Sequence, residues 1–194
     1  MALTLDRLKE MLKQEGLQFF VHASEPAVMF AGTGMNATYQ FVITLANDGQ
    51  FFQLRSVNYL RCPVQHPHLI DVLKVLAHVN YDKRLVKFAW SAADGEIVAY
   101  ADAWLMDGTL TQSQLTRMLS NYLPVIDLSY PRIRAAMDTG KDPGEANPAD
   151  VIGKMGGPGG LPEALRKLIE KVTSDKKKDK DKDKDGTKDT IESI

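Results

Sequence analysis

Thr38-Tyr39-Gln40-Phe41-Val42-Ile43-Thr44-Leu45 decides the fold. Tyr39, Phe41, Ile43 and Leu45 alternate with Thr38, Gln40, Val42 and Thr44, the period of two that sends successive side chains to opposite faces of a half-buried strand. Asn47-Asp48-Gly49 follows as a tight-turn sequence, and Phe51 to Tyr59 returns as the antiparallel neighbour.

Toward the N-terminus, Leu17 to Ala23 and Ala27 to Ala31 are rich in β-formers and flank Ser24-Glu25-Pro26, so they read as a further hairpin. Before them Thr4 is an N-cap, Leu5, Leu8, Met11 and Leu12 share one stripe, and Gly16 is a stop signal, which predicts a first helix over 5–15. Toward the C-terminus the period changes at Pro67. Leu69, Val72, Leu73, Leu76 and Asn80 follow the helical repeat, with Ile70 and Ala77 widening the stripe, so a helix over 67–80 is expected to be covered on two sides.

Arg84 to Ser91 and Glu96 to Leu105 are two more strands joined by Ala93-Asp94-Gly95. The second has a small apolar face of Ile97, Ala99, Ala101, Ala103 and Leu105, on which a helix can sit closely. Its larger, partly polar face is Val98, Tyr100, Asp102 and Trp104. Thr111 with Gln114 is a capping box for a third helix carrying Leu115, Met118, Leu119, Tyr122 and Ile126, which Pro124 and Pro131 are expected to kink or segment. The order is α-β-β-β-β-α-β-β-α. Strands segregated from helices predict an α+β two-layer sandwich, an antiparallel β-sheet with helices packed on one face, and no βαβ alternation supports a parallel nucleotide-binding sheet.

Composition sets the outer limits. The 194 residues carry a formal net charge of -1, which lacks the basic excess of a dedicated nucleic-acid binder. Residues 1–140 hold 25 charged residues, whereas the 54 residues 141–194 hold 24, and all 15 aromatic residues lie at or before Tyr130. A segment so charged and so poor in large apolar groups cannot offset its ordering entropy by burial. The expected organisation is therefore a globular domain over 1–137, a Pro/Gly-rich linker over 138–160, a short amphipathic helix over 161–173 and a disordered Lys/Asp-rich tail over 174–194. No stretch approaches the roughly 18 apolar residues of a membrane span, Met1-Ala2-Leu3-Thr4-Leu5-Asp6 does not read as a secretory signal, and Cys62 is the only cysteine. Cytoplasmic residence is the expectation.

Four motifs invite chemistry. Asp181, Asp183, Asp185, Gly186 and Glu192 match the acidic positions and turn glycine of an EF-hand calcium loop, but Lys188 stands at the apolar eighth position and only two residues follow Glu192. A Lys/Asp alternating tract generates such a string readily. Gly32-Thr33-Gly34-Met35-Asn36-Ala37 fits the loose G-x-G-x-x-G/A dinucleotide pattern, yet a strand follows where a helix N-terminus is needed, so a turn is expected. Cys62, His66 and His68 are three potential zinc ligands with no second cluster to complete a site. His78 and Asp102 are single titratable groups without an identifiable partner, and no catalytic motif accompanies them. No catalytic, cofactor or metal residue is assigned, the acidic tail positions being the weak metal alternative. Met11, Met29, Met35, Met106, Met118 and Met137 fill a core or form a plastic binding surface, the core being favoured.

The run Leu76-Ala77-His78-Val79-Asn80, the strand Val86-Lys87-Phe88-Ala89-Trp90, the hairpin Asp94-Gly95-Glu96-Ile97-Val98 and the helix start Leu110-Thr111 resemble the YbjN family, which is similar in fold to the type III secretion chaperones of the Tir chaperone (CesT) kind. The resemblance covers 1–137 and is most specific over 66–123. It implies a small, dimeric, non-enzymatic α+β protein of the sensory-transduction regulator type that holds or adapts another polypeptide.

The leading expectation is a non-enzymatic protein-binding adaptor, chaperone-like or regulatory, that forms a homodimer and binds neither nucleic acid nor membrane. A calcium-responsive regulator acting through the tail is the alternative, followed by an enzyme assembled from scattered residues. Leu161, Leu165, Leu168, Ile169 and Val172 form a stripe that a helix of about 12 residues cannot hide alone, so it packs on the domain, fluctuates, or fills a partner groove in cis.

Overall fold

The computed structural model describes residues 2–106 and 109–145. Helix α1 (Leu5–Gln14) starts where Thr4 Oγ1 accepts from the Arg7 amide at 3.2 Å, and it buries Leu8, Met11 and Leu12. Strands β1 (Phe20–Val21), β2 (Ala27–Thr33), β3 (Thr38–Ala46) and β4 (Phe51–Val57) form an antiparallel meander. Asn47, Asp48 and Gly49 all have positive φ in the β3–β4 turn, as its sequence required, and a Cβ on Gly49 would lie 2.1 Å from the Leu3 carbonyl oxygen. The turn is thereby sewn to the N-terminus.

After β5 (Leu60–Arg61) come α2 (Leu69–Asp82), β6 (Lys87–Trp90), β7 (Glu96–Trp104) and α3 (Gln112–Thr139). All pairings are antiparallel: β7 lies beside β4, β6 beside β7, and β5 continues along β7 where β4 leaves it. The predicted α+β architecture stands, with helices against one sheet face. On that face Val28, Phe30, Tyr39, Phe41, Ile43, Leu45, Phe52, Leu54, Ile97, Ala99, Ala101 and Phe88 are buried. Their registers agree across the sheet, for example Phe30 opposite Phe41 and Leu54 opposite Ala101.

Four local expectations are corrected. The strand expected over 51–59 ends at Val57, because Asn58 takes a positive φ and β5 resumes only at Leu60; on the β7 side, the backbone ladder already gives way to side chains at Ser56. Its Oγ accepts from the Ala99 amide at 2.9 Å, while the Tyr122 hydroxyl donates to the Ala99 carbonyl at 2.6 Å and accepts from the Ser56 amide at 2.8 Å. Helix α2 begins at Leu69, with His68 as its cap, because Pro63 to His66 already form a turn whose amide bonds lead into the helix. Its buried residues, Val72, Val75, Leu76 and Val79, make one stripe, and Ile70 is 63% exposed, so it is covered on one side only.

The fourth correction is α3, which the prolines do not segment. A helical proline orphans the carbonyl four residues before it. For Pro131 that is the Asp127 carbonyl, and Asn36 Nδ2 donates to it at 2.8 Å. A loop 91 residues earlier thus supplies the missing donor. The capping box at Thr111 and Gln114 is formed as its sequence predicted.

Candidate functional site

The small apolar face of β7 brings α3 close: Tyr122 of α3 reaches the Ala99 carbonyl, and Ala101 is fully covered. Beyond Ala101 the two elements leave an open groove of about 560 Å³ between the end of β7, the α2–β6 connection and α3. Val86, Ala103, Leu105, Leu110, Met118 and Val125 give it an apolar lining. Its rim is cationic at Lys83, Arg84 and Arg117, with Asp82 as an acidic member. Leu85 at the rim is 37% exposed, and the 61% exposed Trp104 rests on Phe51 with ring centroids 4.9 Å apart. Exposed apolar groups around an open apolar hollow are costly unless something covers them.

A smaller hollow of about 120 Å³ shares Lys83 and Val125 with the groove and ends at Arg132 and Glu145. The Arg132 side chain is only 5% exposed, and Nε and Nη2 each donate at 2.7 Å to the two oxygens of Asp142. His78 Nδ1 lies 2.9 Å from the same Nη2. Lys83 Nζ donates to Glu145 Oε1 at 2.7 Å. The guanidinium hydrogen bonds, helped by the Gly144 amide, hold the Asp142 carboxyl down to about 2, and Lys83 lowers Glu145 in the same sense. Residues 140–145 thereby form a strap that follows α3 and returns to α2. The first two residues of the linker expected over 138–160 are the last of α3, and the strap follows them.

Arg132, Lys83, Asp142 and Glu145 were not singled out by sequence reasoning. The available signal was Arg132 directly after Pro131 in the helical run, with a carboxylate ten residues later at Asp142.

The dinucleotide-like loop has a different role. The amides of Met35 and Asn36 donate to Asp127 at 2.8 and 2.9 Å, and the Tyr39 hydroxyl donates at 2.7 Å. A Cβ on Gly34 would lie 2.2 Å from Asp127 Oδ1. The loop is the turn that was expected, and its amides close on the side-chain carboxyl of a residue of α3. Burial and this carboxylate push the Tyr39 hydroxyl pKa up, and burial does the same at Tyr59 and Tyr122.

The remaining candidates are scattered. Cys62 is buried, which raises its thiol pKa, and its carbonyl accepts from Trp90 Nε1 at 2.8 Å. His66 and His68 rings are 6.0 Å apart, and among the described residues no three His, Cys, Asp or Glu side chains converge as a metal site needs. Asp102 accepts from Gln53 Nε2 at 3.0 Å on the uncovered sheet face. His78 joins the Arg132 cluster, and Met11 and Met118 are core residues whereas Met106 is 63% exposed. Asp181, Asp183, Asp185 and Glu192, the 161–173 helix and the tail lie outside the described residues. Among the described residues no helix is long and apolar enough to cross a membrane.

Among the described residues no helix lies on the second sheet face. One row across it runs Phe20, Met29, Val42, Arg55, Tyr100 and Lys87, with Phe20 80% and Met29 39% exposed.

No curated protein sequence matches the chain. Among solved structures it is similar to the crystal structure of YbjN from E. coli, with a TM-score of 0.52 and 16% identity over 70% of this chain and 94% of that one. The ExsC-ExsE complex is similar at a TM-score of 0.43 and 14% identity, over 69% of this chain and 97% of that one. The first likeness is one of fold. A family model described as "putative bacterial sensory transduction regulator" matches residues 4–135, from the cap of α1 to the last turns of α3, and on that match the chain belongs to the YbjN family.

Proposed function

We propose that this protein is a non-enzymatic, chaperone-like or regulatory adaptor that holds an apolar segment of another polypeptide in the groove between α3 and the end of β7. The observation that carries the reading is the groove itself: an apolar lining of side-chain size, left open on a folded core and ringed by Lys83, Arg84 and Arg117. Such a surface suits an amphipathic or extended segment whose apolar side chains enter while its polar groups meet the rim. The family's description as sensory transduction regulators agrees with a protein that acts through a partner.

The same reading has the protein working in the cytoplasm as a homodimer. The exposed Phe20 and Met29 with the half-buried Val42 beside them supply a surface that a second copy would cover, and light scattering would then give about twice the 21.5 kDa chain mass. The groove is tested by quantitative co-purification with the full chain. Val125→Arg puts a cation in the groove lining, and Thr44→Arg alters the uncovered sheet face. The reading expects specific polypeptides to be lost about tenfold from Val125→Arg and kept by Thr44→Arg, with thermal melts confirming that both variants fold. Retention by Val125→Arg with loss from Thr44→Arg would contradict it.

A further inference from the structure

Arg132 and Lys83 differ from ordinary surface cations in how they are held. The Arg132 side chain is 5% exposed in the C-terminal third of α3, and its planar fork presents two parallel donors to one carboxylate. Lys83 caps the end of α2, and the small hollow between the two cations is lined by Val79, Pro124, Val125 and Leu128. The acceptors are placed on the opposite kind of chain. Asp142, Pro143 and Glu145 are all exposed, Glu145 retaining 55% of its side-chain area. Among the described residues the side chains of the strap attach through the ion pairs Arg132–Asp142 and Lys83–Glu145, with His78 Nδ1 3.8 Å from Asp142 Oδ2 and the Gly140 backbone against the His68 ring. It also begins beyond the family match, which ends at residue 135.

We infer that Arg132 and Lys83 form a two-carboxylate socket at the end of the groove, and that Asp142 and Glu145 fill it in cis in place of an acidic segment of the bound polypeptide. The inference rests on the groove being a polypeptide site and names the chemistry of its partner: two carboxylates about three residues apart next to an apolar stretch. Exchange needs no refolding of the core, because both cations sit on α2 and α3 and the strap is exposed chain. Tethering gives the strap an effective concentration near millimolar, so it suppresses weak acidic ligands and yields to a partner that also fills the groove.

The test uses the full chain and a fluorescein-labelled peptide copying residues 138–149, read by anisotropy. With the strap's two carboxylates neutralised by the double variant Asp142→Asn, Glu145→Gln, the peptide is expected to bind at least about tenfold more tightly than to the unaltered chain. The gain is expected to vanish when Lys83→Gln is added, or when the peptide carries Asn in place of Asp142 and Gln in place of Glu145. Equal binding to the unaltered and double-variant chains, or equal binding of the neutral peptide, overturns the inference. Glu145→Gln alone covers the case in which the double variant does not fold. It touches only an exposed pair and leaves Arg132 satisfied, and a gain of about threefold is expected from a freed Lys83, none being contrary. Co-purification lost with Val125→Arg but insensitive to these strap variants leaves the groove standing and removes the socket; loss of both removes the shared premise.

Discussion

Asp127 and Arg132 lie on one helix, 2% and 4% exposed, and are satisfied in opposite ways. Asp127 is closed in by the loop between β2 and β3, through two backbone amides, and by the Tyr39 hydroxyl of the core. Freeing it means pulling the sheet away from α3. Arg132 is closed in by an exposed strap, and freeing it means moving six residues of surface chain. The difference lies in the partners: Asp127 is held by backbone amides of a loop fixed between two core strands and by the buried Tyr39, whereas Arg132 is held by a side chain of exposed chain.

That contrast can be broken most directly at Asp127. Replacing it by Ala leaves the Met35 and Asn36 amides and the Tyr39 hydroxyl without their acceptor, a loss of about 3–5 kcal/mol that chemical denaturation will read. Gly34→Ala attacks the same cradle from the loop side. Its Cβ would lie 2.2 Å from Asp127 Oδ1, and a loss of about 2–4 kcal/mol is expected because loop or helix has to shift. A small effect for either would mean that this loop is not a fixed part of the core.

Asp142→Asn is expected to cost less, about 1–2 kcal/mol, since Arg132 keeps a neutral acceptor and His78 nearby. Acid does the same without mutation. The Asp142 carboxyl, ordinarily near 3.8, is held down to about 2, so the folded state binds this proton less readily than the unfolded chain. Its stabilisation is therefore complete above about pH 4 and is lost as the pH falls through 2. Amide exchange at Gly144, which donates to Asp142 Oδ1 at 2.9 Å, is expected to lose protection over that window in the unaltered protein. In Asp142→Asn its exchange is expected to follow only the intrinsic pH dependence. Glu145→Gln is the smallest step, below about 0.5 kcal/mol, because Lys83–Glu145 is a partly exposed pair.

Period and local punctuation were legible in the sequence: the alternation of β3, the Asn47-Asp48-Gly49 turn and the Thr111 capping box each act within a few residues. Long-range satisfaction was not. Pro131 reads as a helix breaker until Asn36 is seen to fill the orphaned carbonyl, and nothing local shows that the pairing of β4 with β7 stops at Arg55 because the Tyr122 hydroxyl bridges Ser56 and Ala99. Gly32 to Ala37 reads as a turn, and nothing local identifies Asp127, more than 90 residues away, as the carboxylate on which its amides close. The strap was hidden for the same reason. Asp142-Pro143-Gly144 is turn sequence by composition, and its anchors are ten residues back at Arg132 and, for Glu145, 62 residues back at Lys83. The groove was only half visible: the small face of β7 pointed to close helix packing, but not to the gap beyond Ala101.

Site-specific photocrosslinking in living cells tests the polypeptide-binding groove most directly, with the crosslinker placed at Leu85 on the groove rim or at Val42 on the uncovered sheet face. The account predicts that Leu85 captures a peptide from a different protein, that added Val125→Arg abolishes this capture, and that Val42 captures only a second copy of this chain. A different protein captured from Val42, with none captured from Leu85, would contradict it.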